Sequence, residues 1–158
     1  MRRHVVVAAV AVAALVLPAL AAAKGPASAA IYGPGLAGRS LAISGEGEGG
    51  TGTPLGSLVD LGGFFPQMYG QSPDPTLRLQ PKATLGPRYR VVYVVPGPNG
   101  NRSRVVQQVY PYATPVPLTY MKPKQRFWGS RLTHGGWFSA SADLTKLLVR
   151  AGLPAKAP

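Results

Sequence analysis

Residues 88–95 read Arg88-Tyr89-Arg90-Val91-Val92-Tyr93-Val94-Val95, a dense run of β-branched and aromatic residues. Such residues favour a pleated strand, in which successive side chains point to opposite faces. Because valines fall on both faces of this run, with Val91 on one and Val92 on the other, we predict a central strand that is covered on both sides.

A turn signal follows this strand directly. Residues 96–100 read Pro-Gly-Pro-Asn-Gly, and Asn99-Gly100 supplies two residues that tolerate positive φ angles. Residues 104–112 are again rich in valine and tyrosine, so the sequence predicts a β-hairpin over residues 88–112. Strands near residues 118–121 and 125–128 are predicted to extend the same antiparallel sheet over residues 118–128.

Two short helices are predicted to pack on this sheet. Residues 55–65 carry apolar side chains at nearly helical spacing behind Pro54, although Gly62-Gly63 weakens the second half. Residues 141–151 begin with Ser141 or Asp143 as a cap and are followed by Gly152, which favours a helix end. The expected fold class is therefore α+β, with a small antiparallel sheet, one or two short helices, and loops rich in glycine and proline.

The N-terminus has the layout of an export signal. A basic head of Arg2, Arg3 and His4 precedes 13 unbroken apolar residues at 5–17, and small residues follow as far as Ala23. An uncleaved anchor is the less favoured alternative, because a bilayer span needs about 20 apolar residues. We expect residues 1–23 to be a cleavable signal peptide, cut after Ala23 or after Ala29.

This signal predicts a secreted or extracytoplasmic protein exported by the Sec route. The chain has no cysteine, so a lipid-modified N-terminal cysteine and disulfide bonds are both excluded. Residues 24–54 are predicted to be a flexible, glycine-rich N-terminal region with one short strand near residues 41–43. Residues 55–158 are predicted to be a single small α+β domain.

The charge balance is strongly basic, with 17 Lys and Arg against 5 Asp and Glu and a net charge of +12. Lys122, Lys124, Arg126 and Arg131 fall within ten residues, and strand alternation could place the first three on one face with Trp128. A basic stripe of this kind suits an anionic cell-wall polymer or membrane surface, with nucleic acid as a less favoured partner. The alternative is a solvated face that only keeps the chain soluble.

The sequence offers few parts for catalysis. No serine has the Gly-x-Ser-x-Gly frame, and His134 is the only histidine after residue 23, so we expect no cofactor and no metal. His134 and Trp137 form a candidate turn site. The histidine could bind a ligand or exchange a proton there, or it could be a turn residue beside a tryptophan that anchors the sheet.

The composition and motifs favour a secreted or cell-wall-associated accessory or interaction protein that is not an enzyme. One alternative is a basic module that binds anionic envelope polymer, an anionic membrane surface or nucleic acid. A small hydrolase of unrecognised type is the other alternative. The sequence does not choose a specific partner among these.

Three segments carry a resemblance to a known group of proteins. They read LGPRYRVVYVVPGPNG at residues 85–100, VYPYA at 109–113 and GGWF at 135–138. Together they resemble uncharacterised exported proteins of actinobacteria and cover the C-terminal half of the chain. The resemblance implies secretion and membership of this group, and it implies no activity and no site residues. The richness in Ala, Val, Gly and Pro, and in Arg over Lys, separately indicates an actinobacterial type of source.

Overall fold

The computed structural model describes residues 25–45 and 52–158. The predicted signal peptide lies outside the described residues. The described strands are Ser28–Tyr32 (β1), Leu41–Ser44 (β2), Tyr89–Pro96 (β3), Arg102–Tyr110 (β4), Leu118–Met121 (β5), Arg126–Phe127 (β6), Arg131–Leu132 (β7) and Gly136–Ser139 (β8). The helices are Pro54–Leu61 (α1), Phe64–Tyr69 (α2) and Ala142–Ala151 (α3).

Six strands form one antiparallel sheet in the order β2-β1-β3-β4-β5-β8. The predicted hairpin is β3–β4, in which Val92 lies opposite Val106. Asn99 and Gly100 have φ angles of 59° and 75°, as the turn signal predicted. The α+β fold class is therefore confirmed.

Strands β6 and β7 form a separate two-stranded sheet. The prediction that residues 125–128 extend the main sheet is therefore wrong. The chain turns after β5 through Lys124, whose φ of 63° is incompatible with a continuing strand. Strand β8, which the sequence analysis did not identify, takes the place beside β5.

The N-terminal region contributes two strands where the sequence predicted one. The expected strand near residues 41–43 is β2, at one edge of the sheet. Strand β1 lies inside the sheet, where Ala30 is opposite both Ala42 and Val92. Residues 28–32 are mostly small and have weak strand preference, so their conformation comes from the two neighbouring strands rather than from propensity.

The main core lies on one face of the sheet. Tyr89, Val91, Tyr93 and Val95 point into it from β3, and all four are fully buried. The three helices contribute Leu55, Leu58, Val59, Phe64, Met68, Leu144, Leu147 and Leu148 to the same cluster. The main core is therefore a single layer between helices and sheet.

The predicted helix at residues 55–65 is divided into α1 and α2 at Gly62-Gly63. Gly63 has a φ of 66°, and a Cβ at this position would overlap the Phe138 ring. Only glycine satisfies both conditions without strain. The glycine pair thus lets the aromatic side chains of α2 turn toward the sheet.

The opposite face of the sheet is covered over only part of its width. Near β5 and β8, Tyr110, Leu118 and Trp137 form a second cluster, against which Ala83 and Leu85 pack. On β3, however, Val92 and Val94 remain only half-buried. The prediction that this central strand is covered on both faces is therefore wrong.

Candidate functional site

The uncovered part of the sheet is a broad, shallow surface across four strands. Its middle row consists of Ala42, Ala30, Val92 and Val106, which are consecutive Cα partners from β2 to β4. We call this surface the open face. It contains a depression of about 510 Å³.

Two arginines stand on either side of this apolar row. Arg90 lies opposite Tyr32 and Gln108 in the row on one side, and Arg104 lies opposite Val94 in the row on the other. Arg90 and Arg104 lie on neighbouring strands and are four residues apart along the strand direction. Their Cα atoms are therefore separated by roughly 14 Å. An extended anionic chain lying over the apolar row could therefore contact both guanidinium groups.

The position of Arg90 is supported by an aromatic neighbour. Its guanidinium carbon lies 4.8 Å from the centroid of the Tyr32 ring, a cation–π distance. Both side chains are exposed, so the guanidinium keeps donors free for a ligand. The middle-row residues between Arg90 and Arg104 are Val92 and Val106, and both line the depression.

The basic residues predicted as one stripe do not lie on one strand. Lys122 and Lys124 follow the end of β5, and Lys124 lies in a turn. In the β6–β7 ladder, Arg126 is opposite Leu132, whereas Phe127 is opposite Arg131. Since Phe127 faces the core, Arg126 and Arg131 point to opposite sides of this small sheet. Their role in anion binding remains a prediction.

Arg131 lies over a group of aromatic rings. Its guanidinium carbon is 5.8–6.0 Å from the ring centroids of Tyr69, Phe127 and Trp128. Burial raises the pKa of Tyr69, and the charge of Arg131 partly opposes this effect. Packing of this arginine on three rings gives it a structural role in addition to any contact with a ligand.

Trp128 fastens the β6–β7 sheet to the main sheet. Its indole Nε1 donates a hydrogen bond to the Pro96 carbonyl at 2.8 Å, and its backbone N–H donates to Ser103 Oγ at 3.0 Å. Gln125 reinforces this attachment through two side-chain hydrogen bonds to the backbone of Val106. The indole donor of Trp128 is therefore already used within the protein.

His134 pairs with a carboxylate from a distant part of the sequence. His134 Nε2 lies 2.8 Å from Asp74 Oδ2, and both side chains are exposed, by 43% and 39%. Asp74 Oδ1 accepts hydrogen bonds from the backbone and hydroxyl of Thr76. These bonds, more than the contact with His134, hold the pKa of Asp74 below its ordinary value of 3.8.

A histidine oriented by a carboxylate is part of the machinery of many hydrolases, in which the imidazole also activates a nucleophile. Here the ring of His134 has no hydroxyl partner among the described residues. Trp137 lies in β8 and is buried against Tyr110 and Tyr120. His134 and Trp137 therefore both help to attach residues 74–77 to the edge of the sheet.

Charge is distributed unevenly along the chain, a signal that the sequence analysis missed. Between Asp74 and Asp143 there is no acidic residue, and there are ten Lys and Arg. They are Arg78, Lys82, Arg88, Arg90, Arg102, Arg104, Lys122, Lys124, Arg126 and Arg131. This stretch includes β3 to β8 and therefore most of the sheet.

None of these ten cations has a carboxylate partner within the described part of the chain. Three of the 17 Lys and Arg lie outside the described residues, and the other fourteen are all exposed. Of those fourteen, only Lys146 lies within salt-bridge distance of a carboxylate, that of Asp143. The sheet thus presents uncompensated positive charge to solvent.

The described residues contain no group of three or more His, Asp or Glu side chains that could hold a metal ion. Nor does any helix in ranges 25–45 and 52–158 have the length and apolarity to cross a membrane. Comparison of the chain with protein-family models, curated proteins and solved structures finds no significant match.

Proposed function

We propose that this chain is an exported accessory protein that binds an anionic polymer of the cell envelope through the open face of its sheet. The export part of this proposal rests on the signal-like N-terminus and on the resemblance to exported actinobacterial proteins. The binding part rests on the surface chemistry of the folded domain. No catalytic step is part of the proposal.

One observation carries the binding proposal: the sheet region holds ten exposed, unpaired cations and no carboxylate between Asp74 and Asp143. Mixed positive and negative charges would keep a protein equally soluble. A surface that carries only positive charge, in contrast, attracts polyanions. The open face adds a place where a chain can approach the sheet closely, because its middle row has small side chains.

A polymer of phosphate esters joined by short carbon units suits this surface. Its phosphates could contact Arg90 and Arg104, while its carbon units cover Val92 and Val106 between them. Binding of this kind releases counterions and weakens steeply as salt is added. A solvated face without a binding role would show no such saturable interaction.

The test measures binding of the secreted chain to poly(glycerol phosphate) at several salt concentrations. We expect Arg90→Glu combined with Arg104→Glu to weaken binding at least tenfold. The matched control is Arg39→Glu with Lys156→Glu, which changes the net charge equally on exposed residues that do not line the depression. The control is expected to cost about threefold or less, through long-range attraction alone.

A third double variant, Lys124→Glu with Arg126→Glu, tests the predicted basic stripe against the open face. A larger loss for this pair than for Arg90 and Arg104 would move the site to residues 122–131. Equal losses in all three doubles would mean that only overall charge matters. Absence of binding to the polymer at low salt would contradict the proposal.

A further inference from the structure

A short loop beside β8 exposes leucine between basic residues. Residues 77–82 read Leu77-Arg78-Leu79-Gln80-Pro81-Lys82. Leu79 is 83% exposed and Leu77 is 46% exposed. Arg78 and Lys82 are also exposed, and neither makes a salt bridge within the described part of the chain. We call residues 77–82 the leucine loop.

Both ends of the leucine loop are fixed to the body of the domain. Leu77 and Trp137 exchange two backbone hydrogen bonds of 2.8 Å each, and Thr84 and Thr114 exchange two of 2.9 and 3.1 Å. Just before the loop, Asp74 accepts bonds from Thr76 and contacts His134. The exposed position of Leu79 is therefore set by hydrogen bonds on both sides.

The chemistry of this loop fits a lipid surface better than a soluble polymer. A leucine held out in water has no partner in a phosphate or sugar chain, but it gains free energy by entering the acyl region of a bilayer. Cations on either side of it match phosphate headgroups at the depth where the leucine enters. The loop lies at the sheet edge, outside the residues that line the open face.

We propose that the leucine loop is a membrane-contact site that inserts Leu79 into an anionic phospholipid surface, with Arg78 and Lys82 at the headgroups. This contact goes beyond polymer binding at the open face and uses different residues. It is peripheral and reversible, because one leucine and two cations supply only a small part of the energy of a membrane span.

The first test is sedimentation of the secreted chain with phosphatidylcholine vesicles that contain or lack phosphatidylglycerol. We expect binding only with phosphatidylglycerol. Leu79→Ser is expected to lower the partition coefficient about tenfold, the effect of removing one buried leucine side chain. Leu132→Ser is the matched control, since Leu132 is 48% exposed and lies opposite Arg126; it is expected to change the coefficient less than about twofold.

Equal losses for the two serine variants would overturn the proposal, because they would show that any exposed leucine acts alike. Failure of the unchanged chain to bind the anionic vesicles would also overturn it. Both leucines are exposed, so both variants are expected to keep the native near-ultraviolet circular dichroism spectrum.

A second test reports insertion directly. The chain has no cysteine, so Gln80→Cys offers a single position for a polarity-sensitive fluorophore. Anionic vesicles are expected to shift its emission to the blue, and poly(glycerol phosphate) is expected to leave it unchanged. No shift at saturating lipid would overturn insertion. Arg90→Glu with Arg104→Glu should keep the shift while losing polymer binding, which separates this proposal from the proposed function.

Discussion

Gln107 connects the sheet to the helices through a buried hydrogen-bond network. Its Nε2 donates to the Gly62 carbonyl at 2.8 Å and to Gln67 Oε1, while its Oε1 accepts from the Tyr93 hydroxyl at 2.9 Å. Gln67 continues the network by donating to the Gly136 carbonyl at 2.9 Å. Both glutamines are fully buried, so each polar atom in the network depends on its partner.

Replacing Gln107 should therefore be costly. We expect Gln107→Ala to lower the free energy of unfolding by about 2–4 kcal/mol, because the buried Tyr93 hydroxyl would lose its partner and the Gly62 carbonyl would keep only the bond from Thr119. Gln108→Ala is the control: Gln108 is half-buried and accepts one bond from Tyr110. It should cost less than about 1 kcal/mol in urea denaturation. Similar costs for the two variants would contradict this account of the network.

Single residues also mark what sequence patterns cannot provide. The sequence indicates His134 as a candidate, but its carboxylate partner lies 60 residues away, and spacing in the sequence does not reveal such a contact. The same limit applies to Arg90 and Arg104. They lie on either side of the open face only after β1 and β2 have joined the sheet. The acid-free stretch between Asp74 and Asp143, by contrast, was readable from the sequence.

At the scale of the elements, β3 differs sharply between its two faces. Val91 is fully buried in the main core, and Val92 is half-buried on the open face. We expect Val91→Asp to cost more than about 3 kcal/mol, since it would bury an unpaired charge. Val92→Asp should cost less than about 1 kcal/mol in the same denaturation experiment. A comparable loss for both would mean that the open face is covered in solution.

The elements that sequence predicted correctly have strong local signals. The β3–β4 hairpin combines alternating β-branched residues with an Asn-Gly turn, and α3 has Ser141 as its N-cap and Gly152 as its C-cap. Strand β1 has no such signal, because Ser28, Ala29 and Ala30 favour no strand by themselves. Its structure depends on long-range pairing, and pairing is invisible in a local pattern.

At the scale of the whole molecule, the excess of unpaired cations has an energetic cost. Repulsion among exposed like charges destabilises the compact state. Salt weakens this repulsion, because the screening length falls from about 30 Å at 0.01 M to about 8 Å at 0.15 M. We expect the melting temperature to rise by about 2–5 °C over this range of sodium chloride, measured by calorimetry. An unchanged or lower melting temperature would show that the charges are compensated in the folded protein.

The position of β1 inside the sheet also governs the order in which the fold can be completed. Synthesis delivers β1 and β2 first, and they can form only an isolated two-stranded ribbon, which is marginally stable in water. The partner that fixes β1 is β3, where Ser28 lies opposite Val94. Contacts of such long sequence separation slow folding, because the entropy of closing a long loop is lost before the strands gain contacts. We therefore expect the sheet to stay unformed until at least residue 96 has emerged, a delay that suits a protein whose sequence predicts passage across a membrane as an unfolded polypeptide.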